Sequence, residues 1–139
     1  MNETAIAIIG FAAWALLLLI LMEISRVTLV SQGKVRSNGF TPDNANLSPF
    51  LQRLARAHAN CYENLPVFGS LLLAALALDL TEVTNSLALV FLAARIAQSS
   101  IHLYSTSEMS VNIRFAFFLV QTVIGVYWAV QLLLALSVG

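Results

Sequence analysis

Arg53 to Phe68 reads RLARAHANCYENLPVF. It opens an apolar helix, yet it carries Arg53, Arg56, His58, Asn60 and Glu63. A helix turns by about 100° per residue, so Arg56, Asn60 and Glu63, at i, i+4 and i+7, share one face. Arg53 lies one turn earlier on the same stripe. A centred charge at membrane depth costs about 2.5–3.5 kcal/mol on insertion scales. A cation, an amide and an anion placed where the chain turns apolar therefore need a partner, a wet cavity or a ligand.

The surrounding chain is a membrane sequence. Of its 139 residues, 59% are hydrophobic and 10% charged. Soluble domains carry about 25% charge, so this composition would leave large apolar patches in water. The formal net charge is zero, which argues against a nucleic-acid partner. Cys61 is the one cysteine, so no intrachain disulfide forms, and no metal-ligand spacing or glycine-rich phosphate loop stands in the chain. A single domain over residues 1–139 is expected.

Four helices follow from hydropathy, at about 5–30, 49–78, 86–104 and 114–136. Ala5 to Met22 is uncharged for 18 residues, enough to span a bilayer. A cleaved signal peptide would want a basic segment ahead of that run; Glu3 stands there instead, so a retained helix is expected. Gly33 to Pro49 is rich in loop formers, and Ser48-Pro49 reads as a cap followed by a first helical residue. Pro66 removes the donor for the Tyr62 carbonyl, which predicts a kink. Asp79, Glu82 and Asn85 read as an acidic turn. In the third helix Arg95, Gln98, Ser99 and His102 form a second polar stripe, at i, i+3, i+4 and i+7. Ser105 to Asn112 reads as a short polar connection, which puts Arg114 at the start of the fourth helix.

Basic residues set an orientation. Arg26, Lys34, Arg36, Arg53 and Arg56 lie in or beside the first connection, the second has none, and Arg114 follows the third. The positive-inside rule then puts the first and third connections in the cytoplasm and both termini outside. Both stripes approach the same half of the membrane, and an ion pair between Glu63 and Arg95 is expected.

From Arg53 to Phe68 and Arg95 to Arg114 the sequence resembles the MAPEG family, the membrane-associated proteins in eicosanoid and glutathione metabolism. The second-helix pattern E-R-x-x-R-A-x-x-N-x-x-E stands here as Gln52, Arg53, Arg56, Ala57, Asn60 and Glu63, followed by Leu65-Pro66-Val67-Phe68. The third-helix pattern stands as Arg95, Gln98 and His102, and Arg114 matches the Arg of the fourth helix. The resemblance implies an all-α, four-helix integral membrane bundle assembled as a homotrimer. It implies glutathione as co-substrate between subunits, held by Arg53, Arg56, Asn60, Glu63, Arg95, Gln98 and His102, with Arg114 stabilising the thiolate. It further implies transfer to, or peroxidase action on, a lipophilic small molecule. The departures are Phe115 and Phe118 where a hydroxyl is expected, and His102 where a Tyr is expected. Tyr104 is near but points about 200° away.

The residues also carry plainer readings. The stripes could be a polar network that pins helices two and three, as interhelical hydrogen bonds do in membranes. A non-catalytic membrane protein of the same fold is the alternative function. A channel would need a continuous polar path, and the outer halves of the helices are too apolar for one. His58 lies off the stripe, Cys61 reads as a packing residue, and Trp14 and Trp128 read as lipid-facing or interfacial.

Overall fold

The computed structural model describes all residues, Met1–Gly139. Four helices run in order: α1 Glu3–Ser31, α2 Pro49–Ala77, α3 Thr81–Tyr104 and α4 Glu108–Val138. At 1.5 Å per residue they are roughly 36–46 Å long, more than the ~30 Å of a bilayer core. α1, α3 and α4 are apolar enough to cross a membrane; α2 is long enough but carries the polar stripe in its first half. The connections at 78–80 and 105–107 are too short for anything but antiparallel neighbours, so α2 lies alongside the other three. It runs unbroken through Pro66.

Two starts differ from the sequence reading. α3 begins at Thr81 rather than Ser86, because Asp79, with φ +55°, closes α2 abruptly. The Leu80 amide donates to the Ala75 carbonyl at 2.8 Å, the six-to-one bond of a Schellman cap. Of the residues read as a turn, Asp79 and Glu82 are exposed but Asn85 faces α1, beside the buried Thr84: the Thr4 hydroxyl lies 2.6 Å from the Thr84 hydroxyl, and the Thr4 amide donates to Asn85 Oδ1 at 3.0 Å. These contacts tie α1 to α3 at the end where α1 starts. α4 likewise begins at Glu108, with Ser107 Oγ accepting from the Ser110 amide. Arg114 is therefore in the second turn, clear of the positive end of the helix dipole.

The core is centred on one ring from each helix. Phe91 of α3 meets Phe11 of α1 at 5.8 Å, Phe68 of α2 at 4.9 Å and Trp128 of α4 at 5.3 Å between centroids. Trp128 is fully buried, against the lipid-facing reading, because Phe91 supplies an aromatic partner inside the bundle. α3 packs along α4, and α1 along α2 and α3, but α2 and α4 touch only briefly and α1 and α4 do not meet. Where α2 and α4 do meet, Gly125 admits the Phe68 ring; a Cβ there would lie 2.7 Å from Phe68 Cε1. Around this contact the two helices leave a groove.

The α1–α2 connection is held by Asn44, which is buried and has φ +55°. Its Oδ1 accepts from Arg26 Nη2 at 3.0 Å and its Nδ2 donates to the Leu51 carbonyl at 2.8 Å, so one side chain joins α1 to α2. Beside it the Thr41 hydroxyl and Ala45 amide donate to Asp43 and hold its carboxyl below the ordinary range. Asn44→Ala should loosen this segment. Both bonds are lost, worth about 1 kcal/mol each, and the left-handed backbone loses a residue type that tolerates it. Limited proteolysis should cut between residues 33 and 48 several-fold faster than in wild type. Asn44→Gly keeps the backbone relaxed, so equal protection in that variant would show that the bonds contribute nothing.

Candidate functional site

The first half of α2 faces the ends of α3 and α4. Counted from Cys61, which is buried at the centre of the inward face, Asn60 lies about 100° round the helix, Arg53 about 80°, Arg56 about 140° and Glu63 about 160°. The stripe thus has an inner edge and an outer edge, and they have different partners.

On the inner edge, Asn60 Oδ1 accepts from Arg95 Nη1 at 2.7 Å. Gln98 Nε2 approaches the same oxygen at 3.4 Å, and Gln121 Nε2 donates to Gln98 Oε1 at 2.8 Å. Arg95 is fully buried, its guanidinium carbon 5.1 Å from the Phe11 ring centroid, and its Nε and Nη2 have no partner. Beside it the Cys61 sulfur lies 3.2 Å from Ser99 Oγ. On the outer edge, Glu63 is exposed, and the one ion pair in the chain is Arg26 with Glu23 at 3.9 Å. The expected Glu63–Arg95 pair does not form. The two share a depth, but the 60° or so between Asn60 and Glu63 turns the carboxylate away from α3. The side chain that meets Arg95 is the amide.

Arg53, Arg56, His102 and Arg114 come together. With Pro49, Gln52 and Thr106 they line a cavity of about 290 Å³ at the end of the bundle where α2 starts. No Asp or Glu lines it. Arg53 Nε donates to the Leu103 carbonyl at 2.9 Å, which braces one wall. Arg114 also lines a second cavity of about 220 Å³, with Asn60, Gln98, Val111, Phe115 and Phe118. Phe118 in turn lines the groove between α2 and α4, about 740 Å³, with Asn64, Val67, Leu71, Val126 and others. Sharing Arg114 and Phe118 as lining residues, the three spaces lie in series as a track: cationic at the helix ends, amide-lined beside Arg114, apolar beyond Phe118.

Of the eight residues read from the sequence, six line this track. Glu63 and Arg95 do not: the first faces away from it, and the second is sealed inside the bundle and reaches it through Asn60. Gln121, in the uncharged apolar run of α4, joins this network without being among the eight. A polar residue in a spanning helix that faces the bundle interior is itself a signal of a partner.

A polar, cation-lined end joined to an apolar groove suits an amphipathic substrate pair. The MAPEG family model matches residues 4–134, nearly the whole chain. No curated protein and no solved structure matches it. The chain, an all-helical membrane protein, belongs to the MAPEG family of eicosanoid and glutathione metabolism.

Proposed function

We propose that this protein is a glutathione-dependent transferase or peroxidase acting on lipophilic electrophiles. The observation that carries the reading is the track: Arg114 belongs to both the cationic and the amide-lined cavity, and Phe118 to both the latter and the apolar groove. Glutathione carries two carboxylates, an ammonium and a thiol. Arg53 and Arg56 suit the carboxylates, with Asn60 and His102 as hydrogen-bonding partners. The thiol then lies near Arg114. A free thiol has a pKa of about 8.5, and a guanidinium beside it in a low-dielectric cleft favours the thiolate. The thiol proton leaves to water, and the thiolate attacks the electrophilic carbon of a molecule held in the groove. A carbon–sulfur bond forms and the leaving group departs with its electron pair.

Glu63 fits this reading from outside the subunit. An exposed carboxylate midway between a polar and an apolar stretch of α2 needs a partner in the membrane. A homotrimer would supply one, with the ligand's ammonium at the junction between copies. The positive-inside distribution of Arg26, Lys34, Arg36 and Arg114 supports a cytoplasmic site, with both termini on the other side.

The second reading is a non-catalytic binding protein. Phe115 and Phe118 favour it, because they place rings beside Arg114 where a hydroxyl could have donated to the sulfur. Conjugation of a chloronitrobenzene-type electrophile, with and without glutathione, separates the two. Turnover that requires glutathione is expected. Glutathione binding by calorimetry without turnover would support the second reading. No binding at millimolar concentration would defeat both and leave the stripes structural. Native mass spectrometry of the same sample should give three copies; a monomer or dimer would contradict the assembly.

A further inference from the structure

We propose that Gln121, which lines no part of the track, helps hold the Asn60 amide with its NH₂ end toward the ligand by keeping Gln98 turned to Asn60 as a donor; this rests on the glutathione reading above. An amide side chain can present an oxygen or an NH₂, and the two ends differ little in shape. Here the choice is forced from both ends of a chain of contacts. At one end stands Arg95, whose guanidinium only donates. The Asn60 atom 2.7 Å from Arg95 Nη1 must therefore be Oδ1. At the other end stands the Phe117 carbonyl, which only accepts, so the Gln121 atom 3.0 Å away must be Nε2. The second hydrogen of that nitrogen goes to Gln98 at 2.8 Å, which makes the Gln98 atom Oε1. Gln98 Nε2 is then the atom turned to Asn60 Oδ1, at 3.4 Å. Asn64 Nδ2 adds a third approach to the same oxygen, also at 3.4 Å. Every side chain that hydrogen-bonds Asn60 Oδ1 does so as a donor.

The consequence falls on Asn60 Nδ2. It makes no hydrogen bond within the chain and is not among the sealed polar atoms, while Asn60 itself lines the cavity under Arg114. It offers the cavity a donor and no acceptor. A carboxylate or peptide carbonyl of the ligand suits it; an ammonium or amide N–H does not. Gln121 acts through Gln98, so it is a positioning residue. It is fully buried in α4, with its own Oε1 unpartnered, as expected of a side chain whose NH₂ end is committed twice. Without Gln121, Gln98 is free to turn its oxygen toward Asn60 and set acceptor against acceptor.

A double-mutant cycle tests this, using detergent-solubilised full-length protein and glutathione. Gln121→Met should weaken binding roughly five- to tenfold, the worth of one hydrogen bond. Asn60→Asp has two equivalent oxygens, so there is no orientation to set and Arg95 keeps an acceptor. In that background Gln121→Met should change affinity by less than twofold, which is the coupling such cycles detect. A second readout does not depend on affinity. The Asn60 side-chain amide resonances of ¹⁵N-labelled protein should shift on saturation with glutathione in wild type, and by less than half as much in Gln121→Met. Equal losses in both backgrounds, or an equal amide shift at saturation, would overturn the relay while leaving the glutathione reading intact. Wild-type protein that binds no glutathione at millimolar concentration would overturn both.

Discussion

Asn60→Leu should lower the stability of the bundle by about 3–5 kcal/mol, the cost of leaving a buried charge without its partner. Arg95 is fully buried, and its one hydrogen bond within the chain goes to Asn60 Oδ1. Leu has the branching and heavy-atom count of Asn and suits a membrane helix, so propensity and hydropathy both favour the substitution. Stability should fall anyway, because the Phe11 ring face becomes the main favourable contact left to the guanidinium. Glu63→Gln should leave stability within about 0.5 kcal/mol, as exposed substitutions do. Thermal melts in lipid nanodiscs, run on both variants, check the pair. If Glu63→Gln melts early and Asn60→Leu does not, the carboxylate is the partner of Arg95 in the assembled protein.

Arg114→Ala should lower kcat/KM for conjugation by about 10²–10³, the usual loss when one electrostatic stabiliser is removed. The fold should survive, since Arg114 is only half-buried and its Nε has no partner. The pH profile carries the sharper sign. A guanidinium that favours the thiolate lowers the bound thiol's pKa, so activity sets in at lower pH than for free glutathione. Removing it returns that pKa toward about 8.5, and the rise in rate with pH should move alkaline. Arg114→Lys keeps the charge and loses the fork, so its profile should stay near wild type with weaker binding. A variant with the wild-type rate at the wild-type pH would end the catalytic role of Arg114.

The helices, the cap at Ser48, the polar character of early α2 and the family were all legible in the sequence. Hydropathy and the 3.6-residue period are local properties, and the 18 uncharged residues from Ala5 to Met22 or a Ser-Pro pair say the same thing in any fold. Six of the eight candidate site residues could be found for the same reason: a charge or amide in an apolar helix stands out wherever it points. What the sequence could not carry is rotation about each helix axis. Asn60 and Glu63 are three residues apart on one stripe, and about 60° of rotation decides which of them meets Arg95. That rotation is set by packing between helices: Phe11, Phe68 and Trp128 converge on Phe91, and Gly125 yields to the Phe68 ring. The same packing turns Gln121 inward against Gln98 and puts Arg114 between two cavities. The start of α3 was hidden because Asn85 looks like a turn residue until Thr4, 81 positions away, bonds it, and the start of α4 because its cap, Ser107, lies inside a polar stretch that reads as a connection. Periodicity and composition therefore determined which residues are chemically available, and the aromatic core that fixes each helix's rotation decided which of them face the site.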